Sequence, residues 1–219
     1  ATSTHWAGLP IAREGYPLIA AALAVAVALW WLGGPVGGAL GAALFAFVLN
    51  FFRDPERTPP GGEDTVVSPA DGTVAEVGEV DTCPFLEGRA LRIGIFLSVF
   101  NVHVNRSPLA GRVAHLEHAD GEYLNALDPA SAARNERQDL GLLDQRRGLK
   151  VLVRQIAGAI ARRIVCKAEM GQDLARGARY GMIKFGSRTE VYLPAGRFRP
   201  RVKVGDKVKG GQTALGDLI

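Results

Sequence analysis

The sequence contains little cysteine and little histidine, with two cysteines and four histidines in 219 residues. Two cysteines, Cys83 and Cys166, are too few for a disulfide framework and suit a reducing compartment. His115 and His118 lie close together, but no cluster of further ligands accompanies them. We therefore expect them to be surface residues of a strand, and we expect no metal site. Internal repeats of the solenoid kind are also lacking.

Charged residues are absent from residues 17–52, and this absence is the most informative one. A single membrane span needs ~20 apolar residues, so the run is too long for one span. Glycines and a proline interrupt it at 33–38, and the sequence therefore predicts a tight helical hairpin that crosses or enters the bilayer. The alternative is a buried hairpin in a soluble core. Arg13 precedes the run, and Arg53 and Arg57 follow it, which favours a cytoplasmic location for both ends.

The remaining sequence carries a net charge of +4 with an isoelectric point near 9.3. The basic residues are spread over several clusters, of which the longest runs from Arg197 to Lys209. Such clusters are compatible with nucleic acid, with an anionic lipid surface, or with simple solvation. Given the apolar run, we expect an anionic membrane surface as the partner and no nucleic acid.

Beyond a proline- and glycine-rich linker, the pattern changes to short runs rich in valine and isoleucine. We predict strands at 73–80, 90–100, 111–118, 150–156, 179–185 and 188–194, with a weaker one at 159–166. Residues 128–148 lack strand character and predict a long loop with some helical turn. The fold class expected is mainly β, a barrel- or sandwich-like body with an N-terminal hydrophobic helical hairpin. The predicted divisions are a lead at 1–16, the hairpin at 17–52 and a β-rich catalytic domain at 53–219.

Three stretches contain residues that are capable of chemistry. Asp71 lies in SPADGTV, His103 in VFNVHVNRSP and Ser187 in KFGSRTEVYLP. Each has an ordinary interpretation, as a turn residue, a structural histidine and a small turn residue. Together they supply an acid, an imidazole and a hydroxyl. A strand rather than a helix is predicted after Ser187, so the G-x-S-x-G hydrolase elbow does not apply.

A serine that follows a glycine can also attack its own backbone. If the Ser187 hydroxyl attacks the carbonyl of Gly186, the peptide bond becomes an ester, and glycine offers no Cβ to obstruct the approach. β-Elimination would then break the chain and leave dehydroalanine, which hydrolyses to a pyruvoyl group. Gly-Ser pairs are too common to establish this chemistry alone.

Other functions remain open on the residues alone. The C-terminal VKVGDKVKGGQTALGDL resembles the closing strands of biotinyl- or lipoyl-carrier domains, which indicates a carrier or binding module. No lysine in a hairpin of the Met-Lys-Met type accompanies it. A non-catalytic membrane-anchored scaffold is a further alternative, in which Ser187 would be dispensable.

From REGYP (13–17) to the C-terminus, the sequence resembles the short, pyruvoyl-dependent subfamily of bacterial phosphatidylserine decarboxylase proenzymes. The residues that carry the resemblance are FFRDPER (51–57), SPADG (68–72), SVFNVHVNRSP (98–108), NER (135–137), QIAGAIARRIVC (155–166) and GMIKFGSRTEVYLP (181–194). The cleavage context is Phe-Gly-Ser-Arg, as in the short subfamily, rather than the Leu-Gly-Ser-Thr of other members. The NER stretch either lines the active site or forms a helix start or surface turn.

The resemblance implies autocleavage between Gly186 and Ser187 into a β chain, 1–186, and an α chain, 187–219. Ser187 would become a covalent pyruvoyl cofactor, and Asp71 and His103 would activate it for cleavage. The pyruvoyl group would act as the electron sink while phosphatidylserine loses CO2 to give phosphatidylethanolamine, with His103 as proton donor.

The resemblance also implies a location and partners. Phosphatidylserine is the implied substrate, and the catalytic domain would face the cytoplasm from the inner membrane. The α and β chains would stay together, and assembly into homo-oligomers is compatible with the sequence.

Overall fold

The structure is a computed structural model that describes residues 10–124, 134–158, 163–184 and 187–219. The chain divides into two compact units, Ala1–Glu56 and Arg57–Ile219.

The first unit contains a long helical element, α1 (Tyr16–Phe51), that reverses direction at Gly34. The backbone there has φ 56° and ψ −145°, which is not helical and which glycine adopts readily. A Cβ added to Gly41 would lie 2.6 Å from the Cα atom of Ala26. On a straight helix these two residues would be ~22 Å apart. The two arms of α1 therefore lie against each other, and the predicted helical hairpin is confirmed.

The surface of this hairpin is apolar. The segment Arg13–Phe51 is long and apolar enough, by length and composition, to cross a membrane. Around the bend the side chains of Trp31, Leu32 and Val36 are 82%, 87% and 72% exposed. A helix that presents apolar side chains on all sides is typical of contact with lipid.

The second unit consists mainly of β-strands. Within the described residues they are β1 (Thr65–Val67), β2 (Gly72–Cys83), β3 (Gly88–Leu97), β4 (Val104–Arg106), β5 (Gly111–Ala119), β6 (Arg137–Asp144), β7 (Leu149–Ile156), β8 (Ile164–Cys166), β9 (Asp173–Leu174), β10 (Arg179–Ile183), β11 (Ser187–Pro194), β12 (Phe198–Pro200), β13 (Lys207–Val208) and β14 (Ala214–Leu218). This arrangement confirms the predicted mainly-β fold class.

Eight of these strands form one curled antiparallel sheet with the order β13-β2-β3-β11-β7-β6-β5-β9. Two smaller sheets, β1-β14-β12 and β4-β10-β8, accompany it. One face of the large sheet contributes Ile93, Ile95, Val153 and Val191 to the main hydrophobic core, and Leu215 of β14 packs into the same core. Strand β11 lies near the middle of the sheet, between β3 and β7.

The prediction of a long loop at 128–148 is wrong over the part that the structure describes. Strand β6 occupies Arg137–Asp144 and pairs with β5 and β7 on its two sides. Its sequence contains no β-branched residue, but Leu140 and Leu142 are fully buried in the core. The buried carboxylate of Asp139 does not prevent β6 from forming a strand, because Arg154 binds both of its oxygens. The pairing of β6 with its two neighbours and the burial of its leucines therefore outweigh the weak strand propensity of its sequence.

The weaker strand predicted at 159–166 is described only in its second half. Strand β8 covers Ile164–Cys166. Residues 159–162 and 125–133 lie outside the described residues, as do residues 185–186, which include Gly186.

Candidate active site

Ser187 is the first residue of β11, at one end of the large sheet. It pairs with Leu97, the last residue of β3. Side chains alternate along a strand, so Ser187 shares its face with Thr189 and with the core residue Val191. Its side chain is fully buried, and its hydroxyl oxygen has no hydrogen-bond partner among the residues that the structure describes. A buried hydroxyl without a partner costs ~1–3 kcal/mol, which is typical of a site that serves chemistry rather than stability.

His103 lies beside the end of β10, the strand that precedes Ser187 in the chain. Residues 98–103 connect β3 to β4, while residues 184–186 connect β10 to β11. The described residues that flank these connections meet at two points: Leu97 pairs with Ser187, and the Ile183 amide donates to the His103 carbonyl at 3.4 Å. From Ile183 to Ser187 the chain can extend at most ~14 Å. The topology thus brings His103 and Ser187 to the same end of the sheet.

The His103 ring is fixed by its own loop. Its Nδ1 atom lies 2.9 Å from the carbonyl oxygen of Asn101, and a carbonyl can only accept, so Nδ1 donates. Asn101 is held in turn by Ser98, whose amide and hydroxyl both donate to its side-chain oxygen at 2.9 Å. In the neutral ring the acceptor lone pair is therefore on Nε2. This is the tautomer that a general base requires.

Asp71 is bound by a residue that the sequence interpretation did not place in the site. Arg57 donates to both of its carboxylate oxygens, at 2.5 and 2.9 Å, and the Gly210 amide donates at 2.7 Å. Arg57 also donates to the Gly210 carbonyl at 2.7 Å. Both charged side chains are buried, with 6% and 9% of their surface exposed. The Asp71 carboxylate is thus hydrogen-bonded to Arg57 and Gly210, whereas His103 Nδ1 is hydrogen-bonded to the Asn101 carbonyl.

The Asp71 turn reaches the same end of the sheet as Ser187. A Cβ on Gly72 would lie 2.1 Å from the Phe96 carbonyl oxygen, so only glycine allows the turn to approach β3 this closely. In the next rung Thr73 pairs with Phe96, and Phe96 pairs with Arg188. Thr73, two residues after Asp71, and Arg188, the residue after Ser187, are therefore two strand spacings apart, ~10 Å.

A buried chain of amides lies next to Ser187. Gln155 donates to the side-chain oxygen of Asn105 at 2.7 Å, and the Asn105 amide approaches the Thr189 hydroxyl at 3.4 Å. All three residues are fully buried, on β7, β4 and β11. Asn105 lies in the VHVNRSP stretch, but its partners come from distant parts of the chain and give no local signal.

The NER stretch also borders this end of the sheet. Asn135 is fully buried and donates to the carbonyls of Leu124 and Ala157 at 2.8 and 2.7 Å, which argues against a surface turn. Ala157 follows Ile156, and Ile156 pairs with Arg188. Asn135 therefore ties two chain segments together beside the start of β11.

Cys166 is a poor alternative nucleophile. Burial raises the pKa of its thiol, which keeps the sulfur protonated and unreactive near neutral pH. Burial likewise raises the pKa of Tyr180 well above its ordinary value.

A cavity of about 630 Å³ lies on the opposite face of the sheet from Ser187, and its lining includes Arg92 and Tyr192. Here the ligand atoms of His115, Glu117 and Asp139 lie within 4.8 Å of one another. Because Arg154 already binds both oxygens of Asp139, at 2.7 and 2.6 Å, the group is better described as an ion-paired surface. His118 is not part of it.

Comparison with known proteins identifies the family of this chain. Residues 44–216 match the family model described as phosphatidylserine decarboxylase. A phosphatidylserine decarboxylase proenzyme of Pelobacter propionicus is 49% identical over 216 residues, covering 95% of this chain and 97% of the relative. One of Symbiobacterium thermophilum is 49% identical, covering 95% of each chain, and one of Geotalea uraniireducens is 46% identical, covering 95% of this chain and 97% of its own length. The chain belongs to the phosphatidylserine decarboxylase family, a family of decarboxylases.

Proposed function

We propose that this protein cleaves itself between Gly186 and Ser187 and then decarboxylates phosphatidylserine to phosphatidylethanolamine and CO2. The observation that carries the proposal is the fully buried Ser187 hydroxyl, which has no hydrogen-bond partner among the described residues although it opens a central strand. The relatives are named proenzymes, which is consistent with self-processing.

Cleavage begins with proton transfer from the Ser187 hydroxyl to the Nε2 atom of His103. The hydroxyl oxygen attacks the Gly186 carbonyl carbon, and the C–N bond breaks as the Ser187 nitrogen takes up a proton, which leaves an ester. Loss of the Ser187 Cα proton then expels the Gly186 carboxylate and leaves dehydroalanine. Water hydrolyses this group with release of ammonia, and a pyruvoyl group remains at the start of the α chain.

Asp71 and Arg57 act together in this account. As a pair they hold the SPADG turn against Gly210, through the three hydrogen bonds to the Asp71 carboxylate. We assign Asp71 a role in organising the site for cleavage and Arg57 the role of positioning Asp71. A bidentate pair gives fixed geometry in addition to charge.

The surroundings of Ser187 fit a pyruvoyl group. Such a group would remain covalently attached to β11, held by the pairing of that strand with β3 and bordered by the Thr189, Asn105 and Gln155 chain. A pyruvoyl group supplies a carbonyl that condenses with the substrate amine and accepts the electrons released when CO2 leaves. His103 would then deliver a proton from Nε2 to the substrate carbon, because an imidazole both accepts and donates protons near neutral pH.

We place the hairpin in the inner membrane and the β-rich body on its cytoplasmic side. Arg13 and Arg53 flank α1, and positive flanks favour the cytoplasm for both ends. A diacyl lipid leaves a bilayer at a cost of ~0.8 kcal/mol per CH2, so an enzyme that is anchored in the membrane can reach the headgroup without extracting the tails. The anionic leaflet would be a partner of the body.

The variant Ser187→Ala tests the proposal directly. We expect a single uncleaved chain by intact-mass measurement and no decarboxylation, because the nucleophile is gone. Ser107→Ala is the matched control: it removes another buried hydroxyl, one that donates to the Leu109 carbonyl at 2.7 Å. It should cost ~1 kcal/mol of stability and leave cleavage intact. Two fragments from Ser187→Ala would remove Ser187 from its role and favour the carrier or scaffold alternative.

A further inference from the structure

The chain from Arg199 in β12 to Lys209, just after β13, carries four exposed basic side chains with no acidic partner and a fifth, Arg201, that pairs with Asp217. The side chains of Arg199, Lys203, Lys207 and Lys209 form no ion pair with any residue that the structure describes. Elsewhere, ion pairs hold Arg57, Arg89, Arg92, Arg134, Arg146, Arg147, Arg154 and Arg188. Exposed Arg112 and Arg163 also lack an ion pair among the described residues, but they lie far apart in the sequence, whereas four such side chains fall in one segment, 199–209, which we call the basic rim.

An apolar side chain projects from the middle of the basic rim. Val204 is 60% exposed, between Lys203 and Gly205. The turn around it is rigid, because the Lys203 amide donates to the Asp206 carboxylate at 2.9 Å and the Asp206 amide donates to the Lys203 carbonyl at 3.2 Å. The acidic residue of the rim is thus used inside the turn. An exposed apolar residue among lysines is the composition of a surface that enters the headgroup region of a bilayer.

The basic rim lies at the edge of the large sheet, near the end that carries Ser187. Lys207 pairs with Thr73, Thr73 with Phe96, and Phe96 with Arg188, the neighbour of Ser187. Lys207 and Arg188 are therefore three strand spacings apart, a distance of ~14 Å. The rim is also continuous with Gly210, whose amide holds Asp71.

We propose that the basic rim docks the β-rich body onto an anionic lipid surface, so that substrate headgroups enter beside Ser187. This inference rests on the proposed function for its substrate, but the docking itself can be measured separately. Each lysine or arginine near an anionic leaflet strengthens binding about fivefold at physiological salt. Val204 favours lipid over nucleic acid, since single-stranded nucleic acids are bound by aromatic stacking and the rim exposes no aromatic side chain.

The test uses the full chain reconstituted in nanodiscs of phosphatidylcholine, with or without 30% phosphatidylglycerol as the anionic lipid. Hydrogen exchange of the amides in 199–209 should slow at least threefold with the anionic lipid, and 0.5 M salt should abolish the change. Equal exchange in both nanodiscs would overturn the proposal. Protection by an oligonucleotide in place of the anionic nanodisc would also overturn it.

A triple variant, Arg199→Gln with Lys203→Gln and Lys207→Gln, tests the consequence for turnover. The mole fraction of phosphatidylserine needed for half-maximal rate should rise about tenfold, with self-cleavage and kcat unchanged. The control removes the same charge from exposed ion pairs, as Arg89→Gln with Arg146→Gln and Lys150→Gln, and should change neither quantity. An equal rise in the control would contradict a specific docking surface. If no chain is cleaved or active, the proposed function fails, whereas the hydrogen-exchange result still decides the docking.

Discussion

At the residue scale, the Asp71–Arg57 pair shows how much of this site depends on a group outside the expected triad. Both charges are buried, and removing one partner of such a pair leaves the other uncompensated. In the proposed mechanism Arg57 therefore acts through Asp71, by holding its carboxylate.

For Arg57→Gln we expect self-cleavage to slow at least tenfold and stability to fall by ~3 kcal/mol. Arg57→Lys keeps the charge but not the bidentate geometry, and its cleavage rate should lie between those of the wild type and the glutamine variant. Rates are measured at a temperature at which all variants are folded. Arg89→Gln, which breaks an exposed pair with Glu79, is the control and should cost less than ~0.5 kcal/mol. Wild-type cleavage in the glutamine variant would show that the pair is structural only.

His103→Gln separates the chemistry of the imidazole from its packing. Glutamine is polar and similar in size to the imidazole ring, but it cannot accept the serine proton, so cleavage should slow at least ~100-fold. The proportion of uncleaved chain is followed by mass spectrometry over time. His118→Gln, at an exposed position, should cleave normally. Normal cleavage of the His103 variant would assign the proton transfer to another group.

At the element scale, β11 is stabilised by charges on the face opposite Ser187. Arg188 donates to Glu190 at 2.8 Å and to Glu76 of β2 at 2.5 Å, and Arg92 of β3 also binds Glu76. Burial by itself would raise the pKa of Glu76, but the hydrogen bonds from Arg92 and Arg188 outweigh it, and the pKa is lowered.

A lowered carboxylate pKa predicts the pH dependence of this network. The contribution of Glu76 to stability is fully present above the ordinary glutamate pKa and is lost as the pH falls through its lowered value in the folded protein. Glu76→Gln should therefore have a lower Tm than the wild type at pH 7, and the difference should shrink between about pH 5 and pH 3. A difference that stayed constant over this range would contradict an ionised Glu76 in the network. Glu79→Gln, on the same strand but more exposed, is the control.

The sequence predicted the elements whose local pattern agrees with their environment. Valine- and isoleucine-rich β2, β3 and β7 were recognisable, and Gly34 marked the bend of the hairpin. Strand β6 was missed because Leu-Gly-Leu-Leu between charged residues has little strand preference, and only its two neighbours make it a strand. Candidate site residues were found by motif, whereas Arg57 and Gln155 bind partners far along the chain, which periodicity cannot indicate.

At the scale of the whole molecule, cleavage before Ser187 would leave the strands of the sheets on two chains, but the two chains would stay together. The α chain would supply β11, which pairs with β3 and β7 of the β chain. It would also supply β14, which pairs with β1, and the fully buried residues Val191, Leu193 and Leu215. Strand pairing and burial together should hold the two chains in one complex until the fold is denatured.

Mass spectrometry of the purified wild-type protein, with the decarboxylation rate measured on the same sample, tests the central claim most directly. Under denaturing conditions we predict two chains, residues 1–186 and 187–219, the smaller one lacking a free amino terminus. Under native conditions the two should have one combined mass, and activity should rise in proportion to the cleaved fraction. Decarboxylation by a sample that consists of the intact chain alone would contradict the account.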